Sequence, residues 1–317
     1  MTESEKRIII NGSEITVRRS AQTDSLTCGF LGPRGTYGEQ AARGLLRDQA
    51  ELIQASTNVD IIKKLSKGET DLGLIPIENS TEGNVTESVR GLIHGSVPVS
   101  SDIRILAETA LPINHILYGT QEAFDKKIIR SHPQALGQCS QWINERLQDA
   151  TVVRETSTSE AVRIATERNE LSIGTKLAGE IYNAPIFDDD IMDLKTNHTR
   201  FWLLGQGETT STGKDRTTLV YTLKNIDGAL VRALLPFSLR GIGINKIDTL
   251  PLGTLDEYYF LMSVDGHEKD EKVAEALAEL KKSVWKSRVL GSFQKSLSRI
   301  VYDPEARNNG WIDPTVL

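Results

Sequence analysis

Between residues 27 and 208, short continuous apolar runs alternate with longer stretches whose apolar positions recur at three- and four-residue steps. The first pattern predicts buried strands and the second amphipathic helices. "TCGFLGPRGTYGEQAARGLLRD" predicts a strand, a glycine-rich turn and a helix. "VDIIKKLSKGETDLGLIPIENS" predicts a helix and a buried strand ending at "PIEN", and "VTESVRGLIHG" a further helix. "IRILAETALPINHILYGT" supplies two strands, while "KIIRSHPQALGQCSQWINERL" and "TVVRETSTSEAVRIATE" each predict strand, turn and helix. "LSIGTKLAGEIY" predicts a short strand entering a helix. Alternation of this kind predicts α/β layers around a mostly parallel sheet. Polar groups in such layers collect where strands end and helices begin.

Both ends of the chain depart from this pattern. "RIIINGSEITV" places two β-prone runs around Asn11-Gly12 and predicts a hairpin within an extension over 1–26. The stretch "QGETTSTGKDR" has no apolar periodicity and predicts a linker at 209–216. After it, residues 217–293 read strand, helix, strand, strand, helix, strand, the order of a ferredoxin-like (βαββαβ) unit. Asp227 and Asp270 are the expected helix N-caps there, and Gly241 the expected helix stop. The tail over 294–317 carries no strong pattern.

Composition narrows the picture. A chain of 317 residues predicts two domains, and 38% hydrophobic residues are enough for a sizeable core. The formal net charge of -6 argues against a nucleic-acid partner. No apolar run approaches the ~20 residues of a membrane span, and "MTESEKRIII" does not read as a signal peptide. Cys28 and Cys139 make neither a disulfide framework nor a metal cluster, and the five histidines lack metal-ligand spacing. These features predict a cytoplasmic protein that binds neither membrane nor metal.

Five stretches put small polar residues at strand-to-helix turns: "GPRGTYGE", "PIENST", "SHPQALGQC", "TSTSEA" and "NHTRF". Each has a plain structural reading. The glycines of "GPRGT" fit a tight turn or a close ligand approach, and neither a P-loop nor G-x-G-x-x-G matches. Ser157 or Thr158 fits a helix cap, and His132, before a proline, fits a turn better than catalysis. Glu78-Asn79 follows the apolar run "LGLIPI", where a carboxylate needs partners. It fits either a capping glutamate or a functional pair.

In order and spacing these five stretches resemble the motif series of prephenate dehydratases. "DGAL", "YYFLMSVDGH" and "VLGSF" resemble the ACT domain that follows the catalytic part in that family, so the likeness covers roughly 27–293. It implies a two-lobed catalytic domain at 27–208, similar to periplasmic binding proteins, with the active site between the lobes. Lobe 1 would span about 27–105 and 188–208, lobe 2 about 106–187, and the ACT regulatory domain 217–293. An N-terminal chorismate mutase domain is not expected, because 26 residues are too few for its helices.

The resemblance also implies chemistry. Prephenate would lose CO2 and its ring hydroxyl to give phenylpyruvate, with aromatisation as the driving force and no cofactor. Thr199 would donate a hydrogen bond to the departing oxygen, and Glu78 would supply or relay a proton if burial raises its pKa. Asn79, Ser131 and Gln138 would orient the substrate; Thr36, Ser157 and Thr158 would serve its carboxylates. Arg200 and Phe201 complete the site, although strand alternation sets Arg200 opposite Thr199 and Phe201. Arg200 then pins the lobes through a carboxylate, such as one in "FDDDIMD", or anchors an anion. Alternatives of other classes are an arogenate dehydratase, a non-aromatising prephenate decarboxylase and a non-catalytic metabolite sensor. The likeness further implies a homodimer or homotetramer and a phenylalanine or other amino-acid effector. The first effector motif is partly present as Gly228-Ala229-Leu230. The second, Glu-Ser-Arg-Pro in the family, reads Asp248-Thr249-Leu250-Pro251, which predicts weak, altered or absent phenylalanine feedback.

Overall fold

Asn11 and Gly12 both take positive φ, 53° and 86°, the geometry of a two-residue hairpin turn. They join β1 (Glu5–Ile10) to β2 (Ser13–Arg18) in the expected antiparallel register. This computed structural model describes residues 5–19, 25–94, 102–253 and 257–296. Most of the predicted tail therefore lies outside the described residues.

The first lobe continues with β3 (Leu26–Leu31), α1 (Tyr37–Leu46), β4 (Ala50–Ala55), α2 (Asn58–Ser66), β5 (Leu72–Asn79), β6 (Gly83–Asn84), α3 (Thr86–His94) and β7 (Ile103–Pro112). The second holds β8 (Ile116–Tyr118), α4 (Gln121–Asp125), β9 (Ile128–Ser131), α5 (Pro133–Gln138), α6 (Ser140–Arg146), β10 (Thr151–Arg154), α7 (Thr158–Arg168), β11 (Leu171–Gly174), α8 (Lys176–Tyr182) and β12 (Ile186–Asp188). The chain then returns to the first sheet as β13 (His198–Thr209).

Sheet one runs β1-β2-β13-β5-β3-β4, with β7 on β13 and β6 on β5; sheet two runs β10-β9-β11-β8-β12. Two crossing points between the sheets give a two-lobed α/β body. The outward crossing follows Pro112 rather than the expected residue near 105, because all of β7 pairs with β13. The predicted single helix over 133–146 is two, broken at Cys139 (φ -124°, ψ 20°). Asp193 accepts from Ser140 N, Ser140 Oγ and Gln141 N, and so caps α6 from another segment.

The N-terminal hairpin adds to the chain's own sheet, β2 pairing with β13 from Gly207 to Thr209. That pairing carries β13 to Thr209 and shortens the expected linker. Only 210–214 separates it from β14 (Asp215–Thr222), and Asp215 folds that turn by accepting from Thr212 N, Thr212 Oγ1 and Gly213 N. There follow α9 (Ala229–Ser238), β15 (Ile244–Pro251), β16 (Tyr258–Asp265), α10 (Glu271–Ser283) and β17 (Lys286–Gln294). Their order β15-β16-β14-β17 is the ferredoxin-like arrangement. Gly228, at φ 71°, caps α9 in place of the expected Asp227.

Strand β13 is covered on both faces, which explains its unbroken apolar centre. Phe201 and Leu203 join a core with Ile8, Val17, Leu26 and Leu72, whereas Trp202 and Leu204 join one with Leu250, Leu261 and Phe293 of the ferredoxin-like unit. Each fully buried side chain of this size is worth about 1.5–3 kcal/mol. Strand β17 lies so close to β7 that a Cβ on Gly291 would stand 2.2 Å from Ile105 O. The third unit is thus seated directly on the back of the first lobe.

Candidate active site

A cleft of about 850 Å³ opens between the two sheets. All five polar stretches border it, and Thr36, Asn79, Gln138, Ser157, Thr158, Thr199 and Phe201 line its wall. Three expected site residues do not. Ser131 is fully buried, its Oγ donating to Ile173 O at 2.7 Å inside the second lobe. Glu78 and Arg200 lie on the opposite face of the sheet. Arg200 holds Glu108 through Nη1, at 3.2 and 3.1 Å, and its Nε is 3.3 Å from Glu78. The carboxylates that meet Arg200 are thus Glu78 and Glu108, none from "FDDDIMD".

A bulge produces this division. Thr199 pairs with Asn79, Arg200 with Glu78, but Phe201 with Pro76, so Ile77 is the extra residue. In regular alternation Glu78 would share a face with Pro76 and look into the cleft; the bulge gives that place to Asn79. The carboxylate and the amide have exchanged sides.

The amide is tightly held. Asn79 Nδ2 donates to Thr199 Oγ1 and to Asn197 Oδ1, both at 2.9 Å. Its Oδ1 accepts from Thr81 N, Thr81 Oγ1 and Glu82 N. Because Asn79 donates into Thr199, the hydroxyl proton of Thr199 stays free to donate outward, and no acceptor among the described residues takes it. Asn197, buried at 1% exposure, passes the order on by donating from Nδ2 to Gln138 Oε1 at 2.9 Å. Gln138 of the second lobe also lies 2.9 Å from His115 Nε2, and His115 Nδ1 lies 2.8 Å from the Tyr37 hydroxyl. Burial lowers the His115 pKa more than the Gln138 bond raises it, so the ring is neutral. Nε2–H then donates to Gln138 Oε1, and the single Tyr37 O–H proton lies between two acceptors, Asn114 O and His115 Nδ1, each at 2.8 Å. Burial likewise holds the Tyr37 phenol well above its ordinary range, so it remains a donor.

Helix starts complete the wall. Thr36 caps α1, its Oγ1 donating to Leu31 O at 2.8 Å, and Ser157 caps α7 by accepting from Glu160 N at 3.0 Å. Both helices leave first-turn N–H groups at the cleft. His132 caps α5 through Nδ1, accepting from Gln134 N at 3.3 Å, the turn role its place before proline predicts. Among the described residues the lining holds two carboxylates, Glu82 and Glu160, and no Lys or Arg, so an anion there would depend on N–H and O–H donors. The lobes touch at the glycine-rich loop. Thr175 Oγ1 donates to Gly35 O at 2.5 Å, Ser159 Oγ donates to Arg34 O, and Gly35 sits at φ 84°.

Tyr37, His115 and Asn197 were not expected. Asn197 had a signal, since strand alternation puts 197, 199 and 201 on one face. His115 and Tyr37 meet across 78 residues and had none. Among the described residues no group of three or more His, Cys, Asp or Glu could hold a metal, and no helix is long and apolar enough to cross a membrane.

Residues 28–209 match the family model described as prephenate dehydratase. The prephenate dehydratase of Lactococcus lactis subsp. cremoris is 33% identical over 83% of this chain and 96% of its own. The solved prephenate dehydratase of Arthrobacter aurescens, in complex with L-Phe, superposes with a TM-score of 0.78 and 31% identity, covering 86% of this chain and 92% of that one. A further solved chain, GqqA, described as a novel type of quorum quenching acylase, has a TM-score of 0.75 and 25% identity, covering 86% of this chain and 98% of its own.

Proposed function

The chain belongs to the prephenate dehydratase family, and from that premise we infer that its cleft converts prephenate to phenylpyruvate, CO2 and water. The bond from the ring to its carboxylate breaks and leaves its electron pair in the ring. The bond to the 4-hydroxyl breaks at the far end and takes a pair with it as hydroxide, which needs a hydrogen-bond donor as it departs and takes a proton from solvent to become water. The observation that carries this reading is the Asn79–Thr199 pair, which leaves one hydroxyl proton aimed into the cleft. Thr199 acts as a hydrogen-bond donor to the departing oxygen, and preorganised donors of this kind are worth several kcal/mol of barrier. Gln138 and Asn197 hold the pair, and the first turns of α1 and α7 receive the two carboxylates. Decarboxylation without dehydration would require that nothing assist the hydroxyl, which this arrangement contradicts.

We read 217–293 as an ACT regulatory domain. Exposed Val231 and Leu235 on α9, with Leu239 at its C-terminal cap, form an apolar stripe that supports pairing of two such units. That the Arthrobacter relative is in complex with L-Phe supports an amino-acid effector. The acylase description of the other neighbour finds no support in the site. The cleft hydroxyls of Thr36 and Ser157 cap helices, Thr199 is paired with an amide, His132 Nδ1 caps α5 and both ring nitrogens of His115 are engaged, so among the described residues no hydroxyl–histidine nucleophile pair is formed by these groups.

Incubation with prephenate, followed by absorption of phenylpyruvate in base, tests the reading. Phenylpyruvate formation is expected. Tight binding without product would indicate a sensor, a non-aromatic keto acid a decarboxylase, and turnover of arogenate alone an arogenate dehydratase.

A further inference from the structure

The last two residues of β5 serve opposite sides of the sheet. Asn79 enters the cleft, while the Glu78 carboxylate receives Lys246 Nζ at 2.9 Å. Lys246 belongs to β15 of the ferredoxin-like unit. Its ammonium also donates to Asn84 Oδ1 at 2.6 Å and lies 3.3 Å from Asp248 Oδ2, so its three protons face three acceptors. Asn84 Nδ2 in turn donates to Asp248 Oδ1 at 2.9 Å.

Asn84 lies in β6, which folds back on β5 so that Asn84 faces Glu78 and Gly83 faces Asn79. The turn between them supplies the N–H groups of Thr81 and Glu82 that fix the Asn79 carbonyl, and Glu82, Gly83 and Asn84 line the cleft. One ammonium from the third unit therefore clamps both strands of the turn whose tip orients the Asn79 amide.

We propose that Lys246 is a positioning residue for the dehydration, acting through Glu78 and Asn84, with Asp248 closing the clamp. The inference rests on the reading of the cleft given above and extends it. Glu78 belongs to this clamp and lies on the face away from the cleft; it reaches the reaction through the place it gives Asn79 and through its contact with Arg200 Nε at 3.3 Å. Lys246 and Glu78 are partly exposed, so an isolated pair would add little to stability. Its worth lies in geometry: a donor displaced by about 1 Å can cost up to a hundredfold in rate.

The test compares Lys246→Met, Glu78→Gln, their combination and Lys246→Arg. Each single variant is expected to lower kcat roughly ten- to a hundredfold with KM nearly unchanged. The double variant should be no worse than the poorer single, because both break one clamp. Lys246→Arg, which keeps a cation, should recover most of the loss. Independently of turnover, backbone hydrogen exchange over 80–85 should quicken in Lys246→Met and in Glu78→Gln. Losses that multiply in the double variant, or unchanged exchange over 80–85, overturn the clamp. Exchange is read without prephenate, so a failure of the substrate reading is seen separately from a failure of the clamp.

Discussion

Asn79 donates its amide proton to Thr199 across a lobe-one strand pair, at 2.9 Å, and so decides which way the threonine hydroxyl can point. Thr199→Val keeps the shape and removes the hydroxyl, and should lower kcat by about 10²–10³ while KM stays within a few-fold. Asn79→Asp is nearly isosteric but presents only acceptors, so the threonine proton would turn back toward it. A comparable loss is expected for that variant. Steady-state kinetics on prephenate checks both, and a fully active Thr199→Val would remove the residue from the mechanism.

Ser131 contributes to the second lobe and stands apart from the cleft. Its Oγ satisfies Ile173 O in a fully buried site, so Ser131→Ala should cost about 1–3 kcal/mol. Urea unfolding should show that loss while kcat holds. The opposite outcome, unchanged stability with kcat lowered as far as in Thr199→Val, would return Ser131 to the active site.

Much of this site was legible in the sequence because strand ends and helix starts carry it. Thr36, Ser157, Asn79 and Thr199 stand at such junctions, where apolar periodicity stops and small polar residues begin; Gln138 instead closes α5. What the pattern could not supply was sidedness. The run "LGLIPI" is apolar throughout because β5 is covered on both faces, so nothing in it marks the bulge at Ile77 that sends Glu78 away from the cleft and Asn79 into it. The same double coverage hid the third unit behind β13. Helix α9 misled for a smaller reason: Asp227 is a good cap by composition, but the positive φ of Gly228 ends the turn one residue later. The break at Cys139 depends on Asp193, fifty-odd residues away, and has no local signature.

Gly35 should prove indispensable to interlobe contact. A Cβ there would stand 2.6 Å from Ser159 Oγ and 2.9 Å from Ala178 Cα, and φ of 84° already disfavours any side chain. The hydroxyl could rotate, but the helix backbone of α8 cannot. Gly35→Ala is expected to raise KM and lower kcat/KM at least tenfold by holding the lobes apart. Small-angle scattering with and without prephenate would detect the wider cleft, and unchanged kinetics would refute the steric argument.

Acidification should weaken the fold through His115. Its folded pKa lies below the ordinary 6.5, so as pH falls the unfolded chain takes up the proton first. Stability is therefore complete above about 6.5 and declines below it until the folded ring also protonates. His267, whose pKa burial also lowers, contributes in the same direction. The informative quantity is thus the difference between wild type and His115→Gln. Urea unfolding between pH 5 and 8 should show a shallower decline in the variant, which has no proton to gain. Equal slopes would mean that His115 titrates alike in both states.

Phenylalanine should be a poor effector of this chain. In the second effector motif the family's arginine position is Leu250, which is 7% exposed and packs in the core shared with the first lobe, while Asp248 is committed to Asn84 and Lys246. Both side chains thus face the catalytic body, and neither offers the five donors of a guanidinium to an amino-acid carboxylate. Gly228 and Ala229 keep the shape of the first motif, with Leu230 half exposed on α9. A shape match without its charge partner predicts that apolar side chains still fit but bind weakly. Calorimetry should find no micromolar affinity for L-phenylalanine, and turnover should persist in its presence. Leu250→Arg should lose stability, because it places a charge in an apolar junction. Micromolar binding accompanied by inhibition in the unaltered protein would show that the effector is held by groups other than this motif.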